Sequence, residues 1–329
     1  MKIYEERRLK LTENLSGDIA VIIPGSVLAN RSNDTAYPFR QDSNFYYLSG
    51  FNEPDSTLMI INKSGKTNSI GFVPKKDKLK EIWDGFRHGP EGMKSDFGFN
   101  DAFNNDEIDE LLPDLLDGVS CVYYPFGKVE GFDQKVIKWT KKANSKDRHS
   151  KKMEIADISK IIGNKRLIKD SYEINIIEKA CKISANAHLE AMKFVKPGMN
   201  EAEVEAFYLY EFAKNGGRHP AYNPIVASGE NACVLHYVEN NQVINDGDLL
   251  LVDAGCEYEM YASDITRTFP ANGKFSDEQL QIYNIVLEAQ KASVDAVSKG
   301  NGVMDPQTIS EKVITCLLYT SDAADDLFR

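Results

Sequence analysis

At 329 residues the chain is long enough for two globular domains, and 42% hydrophobic with 27% charged residues excludes a disordered or fibrous protein. A formal net charge of −11, from 39 basic and 50 acidic side chains, argues against a nucleic-acid partner, which a basic face would attract. No stretch approaches the ~18 apolar residues of a membrane span, and Met1–Arg8 lacks an apolar signal core, so a cytoplasmic protein without a membrane partner is expected.

In chain order, residues 18–24 (DIAVIIP), 56–62 (STLMIIN) and 68–74 (NSIGFVP) read as strands. The run DEIDELLPDLLDG reads as a helix, and VSCVYYPF as a further strand. This alternation predicts an α/β domain on a mixed sheet over residues 1–150. The basic, polar run at 141–152 reads as a solvated connector and supplies the predicted boundary. Helix-start signals then sharpen. Asp170 with Glu173 opens a helix that stops at Lys196-Pro197-Gly198, and Asn200 with Glu203 opens one that stops at Gly216-Gly217. From Pro220 to Phe269 the chain turns strand-like, His236 included, and Ser276 with Gln279 forms a capping box for a last helix. That helix carries an apolar stripe at Leu280, Tyr283, Leu287 and Val294. The second domain is therefore expected to be α+β. The five cysteines are scattered without a CxxC pair, which indicates neither a disulfide framework nor a thiolate zinc site.

The segment LLLVDAGCEYEMYASDITRTF (249–269) is the most informative. Asp253 ends an apolar strand, where a carboxylate costs several kcal/mol unless it is paired or binds a cation. A hairpin turning at Tyr258 and Glu259 places Asp264 directly opposite Asp253 on one sheet face. Like charges so placed are destabilising unless something neutralises them. Two metal ions bridged by carboxylates do so, and oxygen ligands with an imidazole or two favour Mn²⁺ or a related divalent ion. The ordinary alternative for such aspartates is a turn or helix cap. For His236 it is a satisfied structural residue.

The run SGENACVLHYVENN (228–241) followed by DGDLLLVDAGCEYEMYASDITRTFP (246–270) resembles the first part of the catalytic domain of Xaa-Pro aminopeptidases (aminopeptidase P), the proline-specific branch of the pita-bread metallopeptidases. The 11-residue gap from Asp253 to Asp264 and the 17-residue gap from His236 to Asp253 fit that family. RSNDTAYPFRQDSNFYYLSGFNEPD (31–55) is similar to the hallmark of the family's N-terminal domain. In that stretch Tyr37, Phe39, Phe45, Tyr46 and Tyr47 read as core. Arg87, His88 and His219 read as loop or surface residues near a cleft.

The resemblance implies an α/β N-terminal domain followed by an α+β pita-bread domain. It implies metal ligation by Asp253 and Asp264, a substrate-contacting catalytic role for His236, and two Mn²⁺ ions bridged by the attacking hydroxide. The substrates it implies are peptides with proline in second position, handled by a homo-oligomer. Prolidase, an Xaa-Pro dipeptidase, and a metal-free binding or scaffold protein of the same fold are the alternatives. The family's centre also uses a histidine and two glutamates in HxxG-, EPG- and RxE-type motifs. No histidine follows His236, and neither triplet follows Asp264. Residues 165–315 therefore read as an incomplete first part of the catalytic domain, and 316–329 (CLLYTSDAADDLFR) as a tail foreign to the family. The expectation is a fragment that is inactive as it stands.

Overall fold

The structure is a computed structural model that describes residues 2–145 and 152–326. The chain divides into two units, Met1–Asp170 and Ser171–Arg329.

The first unit is organised by one strand. β1 (Ile19–Pro24) is buried at every position, because both faces of its sheet are covered. Its alternating side chains divide between two cores. Ile19, Val21 and Ile23 pack with Leu58, Ile60 and Phe45, while Ala20 and Ile22 pack with Met59, Phe72 and Trp139. Antiparallel β4 (Thr57–Lys63) flanks β1 on one side and parallel β7 (Cys121–Tyr124) on the other. With β5 (Lys66–Val73), β6 (Asp101–Asn104) and β8 (Glu154–Asp157) they complete a mixed six-stranded sheet in the order β6-β5-β4-β1-β7-β8.

All five strand-like and helical segments read in this half form. The helix α5 (Ile108–Leu115) is entered through a 3₁₀ turn at Asn105–Glu107. Of the five aromatic residues expected in the core, Phe45 and Tyr47 are there, on the short helix α2 (Ser43–Ser49). Phe39 and Tyr46 are half-buried, and Tyr37 is exposed because it follows the two-stranded β-ribbon at 30–36, whose residues are all exposed. Residues 146–151 of the basic run lie outside the described residues, and the first unit ends later than expected, at Asp170. Lys141 and Lys142 occupy the last turn of the helix α6 (Phe132–Asn144), where cations suit the dipole. Beyond residue 152, β8 adds in parallel to β7.

The second unit begins with α8 (Ser171–Phe194), which ends before the Lys196-Pro197-Gly198 stop, and α9 (Glu201–Lys214). Asn200 caps α9 in a complete capping box with Glu203. Its carboxamide also donates to Asn241 O at 3.0 Å. Replacing a cap of this kind by alanine removes the acceptor for an orphan N–H. Asn200→Ala should therefore cost about 1 kcal/mol, read as a fall of about 2–4 °C in thermal midpoint.

The helices pack over a three-stranded antiparallel sheet, β10 (Ile225–Ser228), β11 (Leu249–Asp253) and β14 (Thr266–Pro270), with β11 central. Leu250 and Val252 point into the core formed with Ala187, Val204, Tyr208 and Phe212. A second small sheet joins β9 (His219–Pro220), β12 (Cys256–Tyr258) and β13 (Tyr261–Ala262).

The hairpin differs in register from the sequence expectation. Asp253 pairs with Thr266, and Tyr258 with Tyr261, so Asp264 is not directly opposite Asp253. The turn sits at Glu259 and Met260, both with positive φ (46° and 70°), one residue beyond the expected pair. Such φ values define the turn best matched to strand twist, although Asn-Gly usually occupies it. The slip is two residues, so the side-chain face of Asp264 is unchanged.

α10 (Asp277–Asp295) starts at the predicted capping box, but buries Ile285 and Ala289 instead of the expected stripe; Leu280 and Val294 are exposed. Ile282, Val286 and Ile285 also lie on this helix, so apolar residues surround it and periodicity does not single out one face. α11 (Asp305–Asp326) follows. It includes part of the 316–329 stretch, whose last three residues lie outside the described ones. Among the described residues no cysteine is in a disulfide. Among the described residues no helix is long and apolar enough to cross a membrane.

Candidate active site

Four short segments of the second unit converge on one open cavity of about 390 Å³, lined by Tyr222, Asn223, Ile225, His236, Val238, Asp253 and Asp264. Each segment has a local reason for its position. Asp253 is the last residue of β11, on the face that carries Leu251 toward Ile225, Ala227 and Tyr237, and opposite Ile225 across the sheet. Asp264 lies in the irregular stretch between β13 and β14, held by the hydrogen bond from Ala254 N to Ile265 O (3.1 Å) and that from Ser263 N to Cys256 O (3.0 Å). Val238 and His236 come from the loop between β10 and β11.

His236 is not in a strand. It sits in an exposed turn after a 3₁₀ segment, Gly229–Cys233, and its neighbour Leu235 is 90% exposed. The apolar neighbours that made the run look strand-like do not pack, because only Tyr237 among them turns inward, at 8% exposure.

Tyr222 was not singled out by the sequence. Its hydroxyl donates to Asp253 Oδ1 at 2.5 Å and lies 3.2 Å from Asp264 Oδ1. The two carboxylates thus converge within two hydrogen-bond lengths of one another. Burial, and then the hydrogen bond to Asp253 and the two carboxylate charges, push the Tyr222 phenol well above its usual pKa, so it stays a neutral donor. Tyr222 sits in AYNP, just past β9, where nothing in residue type or spacing marks it.

Behind Asp253 lies a buried relay. His188 of α8 is 3% exposed. Its Nδ1 accepts from the Tyr208 hydroxyl at 2.9 Å, which leaves Nε2–H to donate to Ala254 O at 3.1 Å. Burial lowers the His188 pKa and keeps the ring neutral, and burial raises that of Tyr208. The strand end that carries Asp253 is thereby tied to both helices.

Of the other residues considered, His219 lies on β9, where Glu257 is its pairing partner. Arg87 pairs with Asp84 at 3.1 Å, and the His88 ring sits against Phe51, Phe86 and Phe97 with Nδ1 3.2 Å from Asp96. Both make contacts that stabilise their own loop in the first unit.

The donor chemistry suits a hard divalent cation, since two carboxylates aim at the same point. Among the described residues no third His, Cys, Asp or Glu joins them in a group able to hold a metal. The fit is therefore that of part of a metal centre.

Comparisons with known proteins agree with the two-unit architecture. Residues 4–123 match the model of the aminopeptidase P N-terminal domain, and residues 175–322 match that of metallopeptidase family M24. The Xaa-Pro aminopeptidase of Haemophilus influenzae is 39% identical over 300 residues, covering 91% of this chain and 68% of that protein. The Escherichia coli Xaa-Pro aminopeptidase is 39% identical over 305 residues, covering 92% and 69%. Among solved structures, Pseudomonas aeruginosa aminopeptidase PepP superposes with a TM-score of 0.93 at 39% identity, over 97% of this chain and 73% of that one. The zinc-substituted aminopeptidase P of Escherichia coli in complex with product gives 0.94 at 37% identity, with the same coverage. With an α/β aminopeptidase P N-terminal domain joined to a pita-bread domain of the M24 type, the chain belongs to the Xaa-Pro aminopeptidase family of metallopeptidases, which are hydrolases.

Proposed function

We propose that this chain carries the first part of the active site of a Mn²⁺-dependent aminopeptidase that releases the N-terminal residue from peptides with proline in second position. The observation that carries this reading is the convergence of Asp253 and Asp264 on one hydroxyl, inside a cavity that His236 also lines. Asp253 and Asp264 are the residues that would hold the two metal ions. When bound, such ions activate water and polarise the scissile carbonyl.

The chain's own residues supply orientation. Tyr222 holds the two carboxylates together while it stays protonated. His236, exposed at the cavity, is free to hydrogen-bond a substrate carbonyl and to stabilise the charge that develops on it. Ile225 and Val238 give the cavity an apolar wall, which suits a prolyl ring; a site that demands no N–H from the second residue accepts the tertiary amide before proline. Residues 1–329 supply two of the five ligands that the family resemblance implies, so this chain by itself should bind Mn²⁺ weakly and turn over no substrate.

Two measurements test this. Mn²⁺ titrated calorimetrically into residues 1–329 should bind weakly, and Asp253→Asn should abolish the heat. Residues 1–315 extended by a family C-terminal segment that carries one histidine and two glutamates should release the first residue of an Xaa-Pro-Xaa tripeptide. In that enzyme His236→Ala should lower kcat on the order of 100-fold. Absence of any Mn²⁺ binding would favour a metal-free scaffold, and preference for Xaa-Pro dipeptides would favour a prolidase.

A further inference from the structure

We propose that Glu201 is a positioning residue that holds the loop presenting His236, a role that rests on the placement of His236 against substrate in the preceding reading. Glu201 is the first residue of α9 and is 0% exposed. A buried carboxylate is costly unless its lone pairs are filled, and here they are filled almost entirely by one loop. Oε1 accepts from Ser228 N (2.8 Å), Ser228 Oγ (2.7 Å) and Asn231 Nδ2 (3.2 Å). Oε2 accepts from the Tyr237 hydroxyl (2.8 Å) and Gln242 N (3.0 Å). The backbone N–H of Glu201 donates to Gln242 O at 2.9 Å.

These donors stand at the start, middle and end of residues 228–242. His236 lies between them in a segment with little packing of its own: Val234 is 55% exposed and Leu235 90%. The direct neighbour of His236, Tyr237, is therefore its main anchor, and the anchor point of Tyr237 is Glu201. Burial opposes ionisation of Glu201, but the donors from Ser228, Gln242 and Tyr237 outweigh it and hold the carboxyl below its usual pKa. Asn240, 1% exposed, secures the far side of the loop by accepting from Val226 N and donating to Pro224 O and Glu205. The middle, where His236 sits, depends on Glu201.

Glutamine is the discriminating replacement. It keeps the volume, yet whichever way its amide is turned, an NH₂ group faces either Ser228 N–H or Gln242 N–H, and one backbone donor loses its acceptor. The test compares Glu201→Gln with Glu211→Gln in residues 1–329. Glu211 is a second buried carboxylate of α9, paired with Lys214 at 3.0 Å. The readouts are the imidazole Cε1–H resonances of His188, His219 and His236 and backbone amide exchange.

With Glu201→Gln the His236 resonance should move toward its unfolded-chain position while those of His188 and His219 stay. Amides of 229–242 should exchange about tenfold faster, the size of one lost hydrogen bond, with β11 unchanged. Glu211→Gln should do neither. Tyr237→Phe, which removes only one hydroxyl, should move the His236 signal in the same direction by less, and it serves if Glu201→Gln does not fold. An unmoved His236 signal, or equal movement of all three histidines with uniformly faster exchange, would overturn the assignment. None of these readouts needs turnover, so a failure of peptide cleavage counts against the proposed function alone.

Discussion

Gly255→Ala is expected to cost the second unit about 3 kcal/mol or more, with a fall in its thermal midpoint on the order of 6–12 °C for a unit of this size. A Cβ added at Gly255 falls 1.9 Å from Ser263 O, 2.6 Å from Ser263 C and 3.1 Å from Asp264 N, where real Cβ contacts essentially never drop below 3.0 Å. The atoms it meets are backbone, so no side-chain rotation relieves the overlap, and the strands must separate by about an ångström. The constraint is close approach, since the φ of Gly255 is not in the left-handed region.

The chain has little room to give there. Ala254 N and Ala221 N bond across to Ile265 O and Gly255 O, at 3.1 and 2.8 Å. On the other side, the Ser263 hydroxyl is 2.8 Å from Ser184 Oγ and donates to Cys256 O at 2.9 Å. A displaced Ser263 carries Asp264 away from Tyr222, so the same change should also weaken Mn²⁺ binding. Gly163 is the control: it is exposed in the helix α7 (Ser159–Leu167) with open space around its would-be Cβ, and alanine there should be neutral or slightly stabilising. A thermal midpoint for Gly255→Ala within about 2 °C of the parent would show that the hairpin yields to the added methyl.

The signals that could be read from the sequence were local ones. The runs that became β1, β4, β5 and β7 carry enough β-branched and apolar residues to identify themselves. The Asn200/Glu203 and Ser276/Gln279 boxes fixed two helix starts because capping depends on neighbours three residues apart. Asp253 drew attention because a carboxylate at the end of an apolar strand is costly, and Asp264 because of its 11-residue spacing from Asp253. Their exact pairing was not legible, because it depends on a turn at Glu259–Met260 whose positive φ values neither residue type announces.

The fate of the β10–β11 loop was hidden for a different reason. Val234, Leu235 and Val238 look like strand residues, but the loop is held by tertiary bonds, from Tyr237 to Glu201 on α9 and from its own Asn240 to Pro224. Tyr222 and His188 are tertiary partners of the aspartate strand at separations of 31 and 66 residues from Asp253 and Ala254, beyond any local pattern. The short edge strands β6 and β8 went unread because four residues carry too weak a period to register.

Asp264→Asn should change stability and metal affinity in opposite directions. Without metal, two carboxylates converge on one neutral hydroxyl, and that hydroxyl bonds both without cancelling their repulsion. Asparagine keeps an oxygen that accepts from Tyr222 and removes one charge, so the metal-free protein should gain. Asp264 is exposed, which screens the repulsion and limits the gain to about 0.5 kcal/mol, a rise of about 1–2 °C in thermal midpoint. Mn²⁺ should lose on the order of 100-fold in affinity, since a neutral amide replaces a charged oxygen donor for a hard cation. Opposite signs from one substitution are the mark of a pair kept for binding at the expense of stability. The measurement is the thermal midpoint with and without Mn²⁺, for the parent and for Asp264→Asn. A lower metal-free midpoint in the variant would make Asp264 a structural residue of the hairpin, and an unchanged Mn²⁺-dependent shift would remove it from the ligand set.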